Sequence, residues 1–163
     1  MKIYGVAGWK NTGKTTLTER LVAELVGQGL RVSTIKHAHH ATEIDHPGRD
    51  SYRHRAAGAS QVIVASPLRW ALMTELRGAD EPPLAALLAH FDPCDLILIE
   101  GYKTAPHPKI ETHRQAAGRD LLALSNPTIR AIASDGPIDT NLPRFDLNNV
   151  AAIAAFIRAE VGL

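Results

Sequence analysis

Nine residues constrain this chain more than any others: Gly8-Trp9-Lys10-Asn11-Thr12-Gly13-Lys14-Thr15-Thr16 fills every fixed position of the pattern G-x-x-x-x-G-K-[ST]. The stretch lies between two contrasting segments. Lys2 to Ala7 is short, apolar and β-rich, whereas from about Thr15 the residues Leu17, Leu21, Val22, Leu25 and Val26 recur at helical spacing until Gly27 and Gly29. A loop that leaves a strand and opens a helix directs successive backbone N–H groups, and the positive end of the helix, toward an anion. Gly8 and Gly13 permit the turns and the close approach that a side chain would block. Lys14 is expected to reach the β- and γ-phosphates of a nucleotide as a point charge, and the Thr15 hydroxyl to be a ligand of the accompanying Mg²⁺. Lys10 is read as a solvated or phosphate-facing lysine, with a role across a dimer as the alternative.

The remaining pattern fits the same kind of fold. Leu30 to Ile35 gives a second strand, and a strand-helix-strand unit of this length favours a parallel, right-handed crossover. Gln61 to Ala65 and Arg69 to Glu75 are β-rich runs around Ser66-Pro67-Leu68, a hairpin expected to add antiparallel strands to the parallel sheet. Pro82-Pro83 starts a short helix over Leu84, Leu87 and Leu88. Asp95 to Ile99 is the apolar run of a strand buried on both faces, and Ile129 to Ala133 is a weaker one. Val150, Ile153, Ala154, Ile157 and Val161 form a helical stripe behind Asn148 and Asn149, either of which is a suitable cap. Together these predict a P-loop NTPase three-layer α/β fold, with a mostly parallel sheet, an added antiparallel hairpin and helices on both faces. At 163 residues the chain has the length of one domain, taken as 1–163.

Composition removes several function classes. Eighteen Lys plus Arg against seventeen Asp plus Glu leave a formal charge of +1, which argues against neutralising nucleic-acid phosphates as the main task. Cys94 is the single cysteine, so no internal disulfide forms and a reducing, cytoplasmic setting is expected. No signal sequence or membrane span is read from the sequence.

In an open α/β sheet, ligands lie beyond the carboxyl ends of the parallel strands. Four such exits carry polar residues: the phosphate loop, Lys36-His37, Glu100-Gly101 and Ser134-Asp135. Asp95 and Glu100 flank one strand and stand about 16 Å apart, so only one of them can lie near the loop. Glu100 is at the correct end and is read as the acidic partner of Mg²⁺, with an ion pair to Lys103 as the alternative. Asp95 is read as a turn residue. No N-K-x-D signal of a guanine site is present. Asp135 has the two acceptors that a guanine edge requires, yet Asp135-Gly136-Pro137 is equally an ordinary turn.

The segment from Lys36 to Gly58 gathers His37, His39, His40, His46 and His54, five of the eight histidines, with Arg49, Arg53 and Arg55. A metal site is one reading, although the spacing matches no closed zinc pattern. Another is an anion-binding or switch loop, in which Asp45-His46-Pro47-Gly48 has the D-x-x-G form whose glycine amide faces a γ-phosphate. A solvated polar loop is the third. Lys109 to Arg114 alternates like a strand, and its role stays open.

This ordered set resembles the molybdopterin-guanine dinucleotide biosynthesis protein B family, over most of the chain. The resemblance rests on the phosphate loop, Thr34-Ile35-Lys36-His37, Asp45-His46-Pro47-Gly48-Arg49-Asp50-Ser51 with Ala57-Gly58-Ala59, Asp95 through Lys103, and Lys109-Ile110-Glu111 with Arg114. It implies a homodimeric protein that binds GTP with Mg²⁺, hydrolyses it weakly, and assists the guanylyltransferase that attaches GMP to molybdopterin, or helps deliver the cofactor. Mapped onto this sequence, Gly8, Lys10, Asn11, Thr12, Gly13, Lys14, Thr15 and Thr16 hold the nucleotide. Lys36, His37, Gly48, Gly101, Ser134 and Asp135 line the same cleft, Thr15 and Glu100 serve the metal, and Lys14, Asp45 and Glu100 act on the γ-phosphate or the attacking water. Arginines of the Lys36 to Gly58 segment are candidates for the pterin phosphate or the partner. The competing readings are a small-molecule kinase with Asp45 or Asp50 as base, and a non-catalytic nucleotide-binding adaptor.

Overall fold

A computed structural model describes residues 1–38 and 43–163. The chain divides into two compact units, one formed by residues 1–38 and 91–163 and the other by residues 39–90.

In the first unit six strands form one parallel sheet: β1 (Lys2–Ala7), β2 (Val32–Lys36), β5 (Leu96–Glu100), β6 (Lys109–His113), β7 (Ile129–Ser134) and β8 (Arg144–Asp146). Their spatial order is β2-β5-β1-β6-β7-β8, with every neighbouring pair parallel. β5 is buried along its whole length, as its unbroken apolar run predicts. Helices α1 (Lys14–Gly27) and α4 (Val150–Val161) pack together on one face of the sheet. Their stripes Leu17, Leu21, Leu25 and Val150, Ile153, Ile157 meet Tyr4, Val6, Leu96, Leu98, Ile110 and Ala131 in one core. Asn149 caps α4, its side chain accepting from the Ala152 N–H at 3.3 Å.

The other face of β6 is held by two buried charges. The Lys109 ammonium, fully buried, donates to the carbonyls of Ala105 (2.6 Å) and His107 (2.7 Å) and to Thr128 Oγ1 (2.7 Å). The Glu111 carboxylate, also fully buried, accepts from the backbone N–H groups of Leu122 and Ala123 at 2.8 and 2.9 Å. Those amides open a 3₁₀ turn, Leu122–Leu124, where an anion satisfies orphan donors. Burial raises the Glu111 pKa, and these two donors oppose the rise. The open question about Lys109 and Glu111 thus has a structural answer: they fasten the 103–108 and 120–128 segments to the sheet.

His107 packs on Gly5, where an added Cβ would stand 2.7 Å from His107 Nε2. Burial first, and then the Lys109 charge, push the His107 pKa down from 6.5 to about 4. Its folded pKa lies below its unfolded one, so the unfolded chain takes up the proton first on acidification. Stability is therefore expected to fall as the pH drops from 6.5 toward 4. Denaturant midpoints measured across that window should slope less steeply in His107→Phe; an unchanged slope would rule His107 out as the source.

The second unit contains α2 (Asp50–Ala56), β3 (Gln61–Ala65), β4 (Trp70–Thr74) and α3 (Leu84–Leu88). β3 and β4 form the expected hairpin, with Ile63 opposite Leu72 and Ala65 opposite Trp70. The hairpin does not extend the parallel sheet, however; it is a two-stranded sheet of its own. Val62 and Met73 on one side are buried, whereas Ile63, Leu72 and Trp70 on the other are exposed. A run that alternates like a strand fixes which side chains share a face, not which strand it joins. In the same unit Arg55 ties three carboxylates, with Glu43 at 2.6 Å, Glu75 at 2.7 Å and Asp45 at 3.7 Å.

Candidate nucleotide site

The sheet order decides what surrounds the phosphate loop. β1 lies between β5 and β6, with Val6 in register with Glu100 and Ala7 with Glu111. The loop that leaves Ala7 therefore emerges between the carboxyl ends of β5 and β6. Asn11 and Gly13 have positive φ of 65° and 96°, the backbone form that turns consecutive N–H groups to one side.

Gly8 is required for space. A Cβ there would lie 2.5 Å from Thr112 Oγ1 and 2.6 Å from both the Thr112 carbonyl and Thr12 Oγ1. Thr12 is fully buried, and its hydroxyl bonds the Trp9 carbonyl and Thr112 Oγ1 at 2.8 Å each. Thr12 thus anchors the loop to β6 with its side chain. Gly8→Ala should cost about 2 kcal/mol through overpacking and displace the loop, so thermal melts and nucleotide titrations should both report it.

The structure brings Lys10, Asn11, Gly13, Lys14, Thr15, Thr16 and Glu100 around one cavity of about 520 Å³. That volume lies in the usual range of small-molecule sites. Lys14 Nζ donates to the Trp9 carbonyl at 2.6 Å, which holds the ammonium beside the loop. Burial lowers the Lys14 pKa from the ordinary lysine value, Lys103 and Lys36 push the same way, and Glu100 opposes them. An incoming anion relieves this crowding of positive charge. The Thr15 hydroxyl donates to Glu100 Oε1 at 2.8 Å. Glu100 Oε1 also lies 3.9 Å from Lys36 Nζ, so its ionic neighbour is Lys36 and not Lys103, the alternative partner read from the sequence. A hydroxyl and a carboxylate side by side at a phosphate loop are the oxygen donors that Mg²⁺ takes, one or two from protein and the rest from phosphate and water.

The other predicted residues are placed as follows. The His37 N–H donates to the Glu100 carbonyl at 2.9 Å, and its ring stacks on Tyr102 with centroids 4.2 Å apart. Gly101, at φ 99°, leaves the space that His37 Cβ approaches. Ser134 is buried and its Oγ accepts from the Gly136 N–H at 3.2 Å. Asp135 Oδ1 accepts from the Gln115 N–H at 3.0 Å, and Oδ2 lies 4.0 Å from Arg114. Ser134 and Asp135 line a neighbouring cavity of about 340 Å³ with Phe145 and Asp146. Asp95 lies just before β5, away from the loop as expected, with Oδ2 accepting from the Arg31 N–H at 2.7 Å. Asp45 and Gly48 belong to the second unit, where the Asp45 carboxylate faces Arg55. His39 and His40 lie outside the described residues.

Arg114 was the residue missed by reading strand exits. It lines the phosphate-loop cavity, and its guanidinium comes within 3.4 Å of where a Gly13 Cβ would stand. Its signal was present, because Lys109 to Arg114 reads as a strand followed by a cation. Only the insertion of that strand beside β1 gave the cation a place at the loop.

The comparisons agree with this architecture. The profile of the family described as molybdopterin guanine dinucleotide synthesis protein B matches residues 3–135. The chain is 43% identical over 159 residues to the molybdopterin-guanine dinucleotide biosynthesis adapter protein of Escherichia coli (strain K12), covering 95% of this chain and 90% of that protein. It is 36% identical over 134 residues to the probable adapter protein of the same name from Bacillus subtilis (strain 168), covering 80% and 74%. Among solved structures, the MobB protein homolog from Bacillus stearothermophilus superposes with a TM-score of 0.73 at 28% identity over 99% of both chains. Bacillus subtilis MobB gives a TM-score of 0.76 at 27% identity over 99% of this chain and 98% of the other. With the phosphate loop, its Thr15–Glu100 pair and this sheet order in place, the chain belongs to the molybdopterin-guanine dinucleotide synthesis protein B family.

Proposed function

We propose that this protein is an adapter in molybdopterin-guanine dinucleotide biosynthesis that binds GTP with Mg²⁺, hydrolyses it slowly, and assists the pathway's guanylyltransferase or the delivery of the cofactor. The observation that carries the nucleotide part is the Thr15–Glu100 pair at 2.8 Å beside a loop that presents Lys14 and consecutive backbone N–H groups. Thr15 and Glu100 would hold the Mg²⁺, which would supply neutralisation of the charge on the phosphates. Glu100 is the one carboxylate among the residues lining that cavity, and its Oε1 is held by Thr15. A carboxylate so engaged is a poor general base, which supports slow hydrolysis and a nucleotide used for binding or switching. Asp135 and Asp146 supply acceptors of the kind that a guanine N1–N2 edge needs. The adapter role follows from family membership. A homodimer is part of the same proposal, supported by the exposed apolar face of Ile63, Leu72 and Trp70 on β3 and β4.

Titration of the protein with GTP and with ATP, each with and without Mg²⁺, tests the reading. GTP should bind more tightly than ATP and require the metal, and its hydrolysis should stay slow whatever hydroxyl acceptor is added. Equal affinity for the two nucleotides, or turnover that climbs with an acceptor, would replace the adapter by a kinase.

A further inference from the structure

Lys10, Asn11 and Arg114 are a shared wall. On one side lies the phosphate-loop cavity; on the other opens a second cavity of about 400 Å³, bounded by Trp9, Lys10, Arg114 and Arg119. Trp9 is fixed in place, its indole N–H donating to the Asp120 carbonyl at 2.8 Å. Two cations collect on that ring: Lys103 Nζ stands 4.5 Å from its centroid and the Arg119 guanidinium 5.8 Å. Among the described residues, no carboxylate lies within 4 Å of the charged groups of Lys10, Lys103 or Arg119, and Arg114 has only Asp135 at 4.0 Å. Three cations, Lys10, Arg114 and Arg119, line this one small cavity and repel one another unless an anion enters.

Neither Trp9 nor Arg119 lines the phosphate-loop cavity, so a nucleotide held there leaves the indole and the Arg119 guanidinium unspent. Guanidinium groups match phosphate oxygens through paired N–H donors, and an indole offers an apolar surface to a ring beside them. A cavity of this size takes one small molecule and no polymer.

We propose that the cavity bounded by Trp9, Lys10, Arg114 and Arg119 is a second anion site that takes a phosphate monoester of a ring-bearing small molecule, with Arg119 as its own cation and Lys10 and Arg114 shared with the nucleotide site. The proposal rests on the nucleotide reading only in placing the two ligands side by side. An anion bound on each side of Lys10 and Arg114 draws the same two cations, so each ligand alters the affinity of the other.

Trp9 is itself the reporter. The chain has two tryptophans, and Trp70 lies exposed on the hairpin, so a Trp70→Phe variant isolates the Trp9 signal. That variant, saturated with a non-hydrolysable GTP analogue and Mg²⁺, is titrated with phenyl phosphate and separately with inorganic phosphate. A saturable change in Trp9 fluorescence with phenyl phosphate is expected, several-fold tighter than with inorganic phosphate. Arg119→Ala should weaken it about tenfold, the size of one charge-assisted hydrogen bond, with affinity for the GTP analogue as the control. Loss of phenyl phosphate binding in strict competition with the GTP analogue would overturn the proposal by placing both anions in the phosphate loop. Unchanged binding in Arg119→Ala would overturn it too, and equal affinity for inorganic phosphate would remove the ring from the ligand. If the protein failed to bind GTP while phenyl phosphate still moved Trp9 in an Arg119-dependent way, the nucleotide reading would fall and the second site would stand.

Discussion

Lys14→Ala is expected to lower the affinity for GTP with Mg²⁺ by about 100-fold, equivalent to about 3 kcal/mol for a charge-assisted contact to two phosphates. The direction follows from the position of the ammonium, which the Trp9 carbonyl holds beside the loop at 2.6 Å. Burial and the Lys103 charge already make its charged form costly, and a phosphate offsets both. Stability should change little or rise, because the substitution removes a lysine from a crowded cationic rim. Calorimetric titration gives the affinity and a melt in the absence of nucleotide gives the fold. An unchanged GTP affinity in a normally folded Lys14→Ala protein would mean that the nucleotide binds elsewhere.

The second large effect concerns the scaffold. Lys109→Met keeps the apolar stem but removes three hydrogen bonds from a fully buried ammonium, to Ala105, His107 and Thr128. Relief of desolvation offsets part of that loss, leaving an expected destabilisation of about 3 kcal/mol. A pH signature accompanies it. Burial lowers the Lys109 pKa from 10.5 to about 8, so between these values the unfolded chain holds the proton that the folded chain has released. The contribution of this group to stability therefore rises with pH from about 8 toward 10.5. Urea denaturation across that window should show the rise in the wild type and lack it in Lys109→Met. A variant as stable as the wild type at pH 7 would show that Lys109 does not fasten the 103–108 segment.

Local signals carried much of the fold. Hydrophobic period and turn residues located α1, α4, β3 and β5 almost to the residue, because each depends on its own side chains and caps. The hairpin was legible as a hairpin, but its separation from the parallel sheet was not. β8 went unread, being three residues long, Arg144–Asp146, and too short to show a period. Lys109 and Glu111 were legible as polar residues on an alternating run, yet nothing local to them tells a structural tie from a ligand-binding group. That distinction comes from the segments folded over β6, which are remote in sequence.

The same division holds at the site. By itself the sequence determined that a glycine-rich loop joins a strand to a helix, that Lys14 and Thr15 open that helix, and that Glu100 rather than Asp95 sits at the loop's end of its strand. These are consequences of spacing along one chain. Only the tertiary structure decided that β6 inserts beside β1, bringing Thr112 under Gly8 and Arg114 to the loop. Only the tertiary structure also set Trp9, Arg114 and Arg119 around one cavity. The reason is physical: a strand's period specifies which of its faces is buried, while its neighbours are chosen by crossovers and by the packing of the whole sheet, for which no short stretch of sequence carries the information.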